Sequence, residues 1–112
     1  GSDVLALRLP PGRVRVLGHL CNVYVNWTTA SATLDFGHKG YTGSDNVAVT
    51  ADVDVLDDGV SVESAGEIAL GSAQNDSTYL FESKDGVDLY FTSPGAIADG
   101  DVISGVIAYV AV

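Results

Sequence analysis

Leu5, Leu7 and Leu9 alternate with Ala6 and Arg8, the period of two that buries one face of a strand and leaves the other in water. Pro10-Pro11-Gly12 ends that strand, because proline has no N–H for a ladder and glycine accepts a positive φ. The next run, residues 13–25, is too long for one flat strand, and Gly18 in its middle predicts a bulge or bend. Thr33-Leu34-Asp35-Phe36 predicts a short strand stopped by Gly37, with a polar loop over 38–46; Val47-Ala48-Val49 is apolar and stays open. In residues 51–60, Asp52, Asp54, Asp57 and Asp58 surround Val53, Val55 and Leu56 ahead of Gly59. Acids complement the dipole at a helix start and glycine ends a helix, so a helical turn is predicted over 53–58.

Further along, 67–71 predicts a short strand and 72–77 a turn. Two β-rich runs, 78–82 and 87–92, flank Ser83-Lys84-Asp85-Gly86, which predicts a hairpin. Ser93-Pro94-Gly95 turns the chain again, and residues 102–112 are apolar on both faces, the pattern of a central, doubly covered strand. Seven or eight short strands at spacings of roughly 8–15 residues predict an all-β chain, an antiparallel sandwich or barrel with at most one or two short helical turns.

A chain of 112 residues is expected to form one domain over 1–112. Its charge is divided unevenly. Arg8, Arg13 and Arg15 face only Asp3 within 1–15, a balance of +2 on a basic, leucine-rich N-terminal segment. Residues 16–112 set Lys39 and Lys84 against the other fourteen acids, a balance of −12, and the whole chain carries −10. A pI near 4.1 argues against nucleic acid as a partner, since phosphate contacts need clustered Lys and Arg. Acidity also keeps a protein soluble at high local concentration, which suits something displayed in many copies. No apolar run approaches the ~20 residues of a membrane helix, so no membrane partner is expected. With Gly1-Ser2 first and no Met anywhere, the native start is expected to be missing, and no signal-peptide pattern opens the chain. Cys21 is alone, inside an apolar run, and is expected to be a buried free thiol.

The candidate chemistry is thin. Asp52, Asp54 and Glu63 match the first, third and twelfth ligands of a calcium-binding loop, but Leu56 takes the fifth position and Asp57 the glycine position. Moving the frame to Asp54 gains Gly59 and puts Ala65 at the twelfth position, so a solvated acidic stretch is expected. His19 and His38 lack a carboxylate at ligand spacing, and Cys21 with His19 would supply two ligands where zinc takes three or four; no metal and no cofactor is expected. A Cys–His nucleophile would also need an oriented base and an oxyanion donor, which nothing in the sequence indicates. The glycine-rich segment Gly37-His38-Lys39-Gly40 with Tyr41-Thr42-Gly43-Ser44 has no phosphate-loop context and reads as an exposed loop. Asn26-Trp27-Thr28 and Asn75-Asp76-Ser77 fit the glycosylation triplet, which carries meaning only after a secretory signal. Trp27, Tyr24, Tyr41, Tyr79 and Tyr90 could stack on sugar rings or serve core and subunit contacts, and the structural role is the one expected.

Several segments together resemble the small capsid decoration (cement) and head-associated proteins of tailed bacteriophages. They are Ala30-Ser31-Ala32-Thr33-Leu34-Asp35-Phe36-Gly37, the acidic turn Asp54-Val55-Leu56-Asp57-Asp58-Gly59, Ser64-Ala65-Gly66, the strand Gly86-Val87-Asp88-Leu89-Tyr90-Phe91, and Ala98-Asp99-Gly100-Asp101 leading into the terminal run. The resemblance spans most of 30–112. It implies an antiparallel β-sandwich of jelly-roll type, attachment to the major capsid protein on the outer surface of the virion, and no catalysis. Self-association is expected from the apolar terminal run, as a trimer, which the resemblance implies, or as a dimer. The charge division, not the resemblance, places the capsid or subunit interface at Leu5, Leu7, Arg8, Arg13 and Arg15, with the acidic turns toward solvent. The same arginines could instead balance carboxylates of the body. The competing function is a carbohydrate-binding β-sandwich module at a phage or bacterial surface; a small hydrolase has only scattered carboxylates in its favour.

Overall fold

The computed structural model describes residues 2–62, 66–69 and 78–112. The turn expected at 72–77, the Asn75-Asp76-Ser77 triplet, Glu63 of the calcium-type pattern and Ser64-Ala65 of the phage-like pattern lie outside the described residues. Among the described residues the chain forms twelve strands: β1 (Ser2–Leu9), β2 (Gly12–Leu17), β3 (Asn22–Asn26), β4 (Thr33–His38), β5 (Tyr41–Thr42), β6 (Ala48–Val49), β7 (Asp52–Ser61), β8 (Gly66–Ala69), β9 (Thr78–Ser83), β10 (Val87–Ser93), β11 (Val102–Val106) and β12 (Tyr109–Ala111). A 3₁₀ turn at Gly18–Leu20 is the bend expected at Gly18. The all-β, antiparallel class expected from the alternation is what the chain adopts.

The pairings are nested. β1 pairs with β10, β2 with β9, β3 with β8, β4 with β7 and β5 with β6, every one antiparallel. Lateral pairings then widen the ribbons into sheets ordered β1-β10-β4-β7, β11-β3-β8 and β12-β2-β9, with β5-β6 as a small fourth. Period-two burial explains why. Val87, Leu89, Phe91 and Ser93 of β10, Val23 and Val25 of β3, and Val14 and Val16 of β2 point inward while their neighbours do not. These side chains join Leu9, Leu34, Phe36, Leu56 and Phe81 in one buried cluster. Phe36 stacks on Phe91 at 4.8 Å between ring centres, directly across the β4–β10 ladder.

Four sequence expectations fail, each for a local reason. The helical turn over 53–58 is instead part of β7, ten residues long. Its pairing with β4 slips twice, between Leu34 and Phe36 and between Phe36 and His38, so the alternation is broken and adjacent Leu56 and Asp57 are both buried. The hairpin expected around 83–86 keeps its turn but not its pairing. Gly86, at φ +104°, donates its N–H to Ser83 Oγ at 3.1 Å, yet β9 goes to β2 while β10 goes between β1 and β4. The Pro10-Pro11-Gly12 corner lies opposite, with Leu9 across from Val87 and Gly12 across from Ser83, so both ribbons bend from one sheet into another at the same place.

The terminal run is not a central strand. It breaks at Ile107-Ala108 into β11 and β12, each at the edge of its sheet. The break is held by Cys21, whose buried thiol donates to the Leu17 carbonyl and accepts the Ala108 N–H, both at 3.3 Å. Finally, Gly37 does not stop β4, which continues to His38, and the polar loop of 38–46 contains β5 and the buried His38 ring. The ring stands edge-on to Tyr41 and Phe81 at 5.2 and 5.4 Å, and its Nδ1 lies 2.8 Å from the Lys39 carbonyl. A carbonyl only accepts, so Nδ1 carries the proton.

Candidate functional site

The N-terminal arginines are cross-strand partners of acids. Arg8 on β1 stands directly across from Asp88 on β10, with Nη1 2.8 Å from the carboxylate, and Nη2 donates to the Asp85 carbonyl at 2.9 Å. Arg13 on β2 faces Glu82 on β9, its Nε 3.2 Å from the carboxylate. Both arginine side chains keep more than half of their surface, 58% and 59%, so each pair adds only about 0–1 kcal/mol. Arg15 is half-buried between Leu80 and Val110. Leu7 packs against the core, whereas Leu5 is 54% exposed. The +2 of residues 1–15 is thus met by nearby acids in the fold, and the corner is charge-balanced instead of positive.

The opposite edge of the four-stranded sheet is acidic. Asp52, Asp54 and Asp58 are exposed on β7, and Asp35 on neighbouring β4 accepts the Gly59 N–H at 2.8 Å. The Asp54 carboxyl is held above its usual range, first by a hydrogen bond shared with Asp52, then by desolvation and by the charges of Asp58, Asp52 and Asp35. A carboxylate raised in the fold costs no stability below its unfolded pKa and its full repulsion above its folded one. Asp54→Asn is therefore expected to raise the melting temperature at neutral pH, with the gain shrinking as pH falls toward about 4 and absent below it. Differential scanning fluorimetry across that range checks it, and an unchanged or lowered value at neutral pH would contradict the repulsion. Among the described residues no group of three metal-ligating side chains assembles, here or elsewhere.

A third region is apolar and uncharged. β11 and β12 present Val102, Val106, Tyr109 and Val110 to solvent, with Val106 64% exposed. Between β11 and β1 opens a groove of about 160 Å³, lined by Leu5, Ala6, Val23, Phe91, Ile103 and Ile107 among others. The entry to β11 is fixed by Asp101, which accepts the Thr28 N–H at 2.9 Å, the Thr28 hydroxyl at 3.0 Å and the Ala98 N–H at 2.9 Å. Those donors hold its carboxyl below the usual range. β1 and β7 are opposite edges of one sheet, three strand spacings or roughly 14 Å apart, so the groove between β11 and β1 opens at the edge away from acidic β7.

The aromatic residues do not form one face. Trp27 is buried in the core, Tyr79 leans on Phe81 at 4.6 Å, and Tyr41 belongs to the His38 cluster. Tyr90 lies under the Lys39 ammonium, 4.8 Å from the ring centre, while Lys39 also pairs with Asp3. Of the five aromatics singled out from the sequence, Tyr24 is the one classed as exposed. The apolar edge escaped sequence reasoning because a run apolar on both faces reads as doubly covered. Gly105 marks a close approach, since an added Cβ would sit 2.7 Å from Val23 Cα on β3, and the edge position of β11 shows only in the strand order. Comparison with protein-family models, with curated proteins and with solved structures gives no match.

Proposed function

We propose that this chain is a non-enzymatic structural virion protein: a self-associating decoration protein that binds the major capsid protein on the outer surface of a phage head and stabilises it. The observation that carries the reading is the separation of surfaces: an uncharged apolar edge on β11 and β12, with the groove between β11 and β1, and an acidic edge on β7, across the sheet from β1. Such a molecule assembles through one edge and stays soluble through the other. Docking on a lattice adds many modest contacts and needs no deep site. The charge-balanced corner of Arg8 and Arg13, with Arg15 close by in the chain, is the proposed capsid-facing surface, while Leu5, which lines the groove beside β11, is assigned to the subunit interface. The nested pairing of β1–β10 down to β5–β6 is that of a rolled hairpin and supports a β-sandwich of jelly-roll type. The scattered aromatics give a carbohydrate-binding module less support.

The test is whether this gene neighbours a major capsid gene and whether the protein co-sediments with undecorated capsids assembled from that gene's product. The wild-type protein is expected to pellet with the capsids and raise their melting temperature. The triple variant Arg8→Gln, Arg13→Gln, Arg15→Gln is expected to stay in the supernatant while keeping its own melting temperature. Wild-type protein that never pellets would sink the capsid reading; a triple variant that binds normally at low and moderate salt would remove the arginines from the interface.

A further inference from the structure

Unpaired strand edges are protected in most proteins by charge, proline, bulges or a covering element. In the three larger sheets most described edges carry such protection. β7 has its acids and two register shifts, β1 carries Asp3 and Arg8, β8 contains Glu67, and β9 carries Glu82 and is bridged at Ser83 by Gly43. β11 and β12 have no charged residue and no proline. Among the described residues, no strand pairs with the outer side of β11.

The sequence of β11, Val102-Ile103-Ser104-Gly105-Val106, is complementary to itself when run antiparallel. Centred on Ser104, the pairing sets Val102 against Val106 and Ile103 against Gly105, twice by symmetry. Valine across from valine lets two β-branched side chains pack against each other across the pair. Gly105 brings no side chain, so the isoleucine opposite it meets open space beside the groove. Charge selects the same partner. A chain of net charge −10 can approach its own copy closely only where neither surface carries an acid, and a strongly cationic partner would be drawn to β7 instead. Asp101, the acid next to β11, is held in its clasp with Thr28 and Ala98.

We propose that β11 pairs antiparallel with β11 of a second copy of this chain, about a two-fold axis through Ser104, joining two three-stranded sheets into one of six strands over the Leu5 groove. A patch that meets itself gives an isologous, closed dimer. This names the self-association surface of the assembly reading above and rests on its premise of a self-associating protein, independently of the capsid.

Sedimentation equilibrium of the full chain at about 100 μM is expected to give twice 11.6 kDa. Val106→Lys lowers the overall negative charge, yet it places lysines in the paired edge and is expected to weaken the dimer at least about tenfold. Adding Val102→Glu sets glutamate opposite lysine in both symmetric pairs and is expected to restore the dimer. Val47→Glu, on an exposed apolar residue in the β5–β6 connection, is expected to leave it intact. Unchanged circular dichroism in each variant shows that folding is not the cause. A monomer or a trimer at that concentration, a Val106→Lys protein that still dimerises, or a double variant that fails to recover would overturn the two-fold pairing. A dimer that ignores capsids defeats only the capsid reading, and a trimer that decorates them defeats only the two-fold pairing. A monomer that decorates them defeats the pairing together with the self-association on which it rests.

Discussion

Phe36→Ala is expected to remove about 3–5 kcal/mol of stability, a large share of the ~5–15 kcal/mol that holds a domain of this size together. The ring is 1% exposed at the centre of the four-stranded sheet, with Leu89 and Phe91 beside it on β10 and Leu34 on its own strand. Truncation leaves the stacked face of Phe91 without a partner. Strands on both sides of β4 are locked in antiparallel ladders, so the site has little freedom to collapse around the void. The lost transfer energy and the cavity term then add. Urea denaturation followed by tryptophan fluorescence checks it through Trp27, which is buried and changes environment on unfolding. The midpoint should fall sharply with an unchanged slope; a loss below about 1 kcal/mol would mean that the Phe36–Phe91 stack is not central to the core.

Gly37→Ala is expected to be nearly as damaging although it adds a single methyl group. A Cβ at Gly37 would fall on the Asp52 carbonyl oxygen and 2.6 Å from the Val53 carbonyl oxygen, and both are backbone atoms of β7 that cannot rotate away. Relief requires β7 to move off β4, which strips pairs from the widest acidic edge of the molecule. Alanine normally stabilises a strand relative to glycine, so the sign is diagnostic. A drop in melting temperature of about 10 °C or more, from an expected cost of roughly 2–3 kcal/mol, supports the close approach. A variant at least as stable as wild type would show that β7 does not lie against Gly37.

Strands with undisturbed alternation were legible in the sequence. β3 and β10 bury every second residue, and their limits follow the 3₁₀ turn and Ser93-Pro94-Gly95 closely. β1 ends at Pro10-Pro11-Gly12 as expected, but its register with β10 shifts between Leu5 and Leu7, so Leu9 is buried while Leu5 stays exposed. β7 was not, because two register slips bring Val55, Leu56 and Asp57 out of step, and the result imitates a helical cluster of acids and apolar residues. Turn residues announced the bend at 83–86 but carried no information on partners, which depend on the second corner at Pro10-Pro11-Gly12. The same limit applied to charge. Counting along the chain found a basic segment, while pairing across the sheets puts Asp88 opposite Arg8 and Glu82 opposite Arg13, 80 and 69 positions away. Gly37 showed only its lack of a side chain, and neither a stop nor a close approach can be told apart before β7 is placed.

The nested pairing also constrains how the chain acquires this structure. The innermost ladder, β5 with β6, closes Tyr41 onto Val49, while the outermost joins Ser2 to Ser93. Each outer ladder needs a longer loop to be closed before its contacts repay the lost entropy, which places the chain among slow-folding, high-contact-order topologies. During synthesis β1 and β2 leave the ribosome first and find their partners last, since β9 and β10 must follow. A Leu5-Leu7-Leu9 strand waiting that long without a neighbour is an aggregation hazard. Arg8 and the Pro10-Pro11 pair, which limit stray strand pairing, stand where the wait is longest.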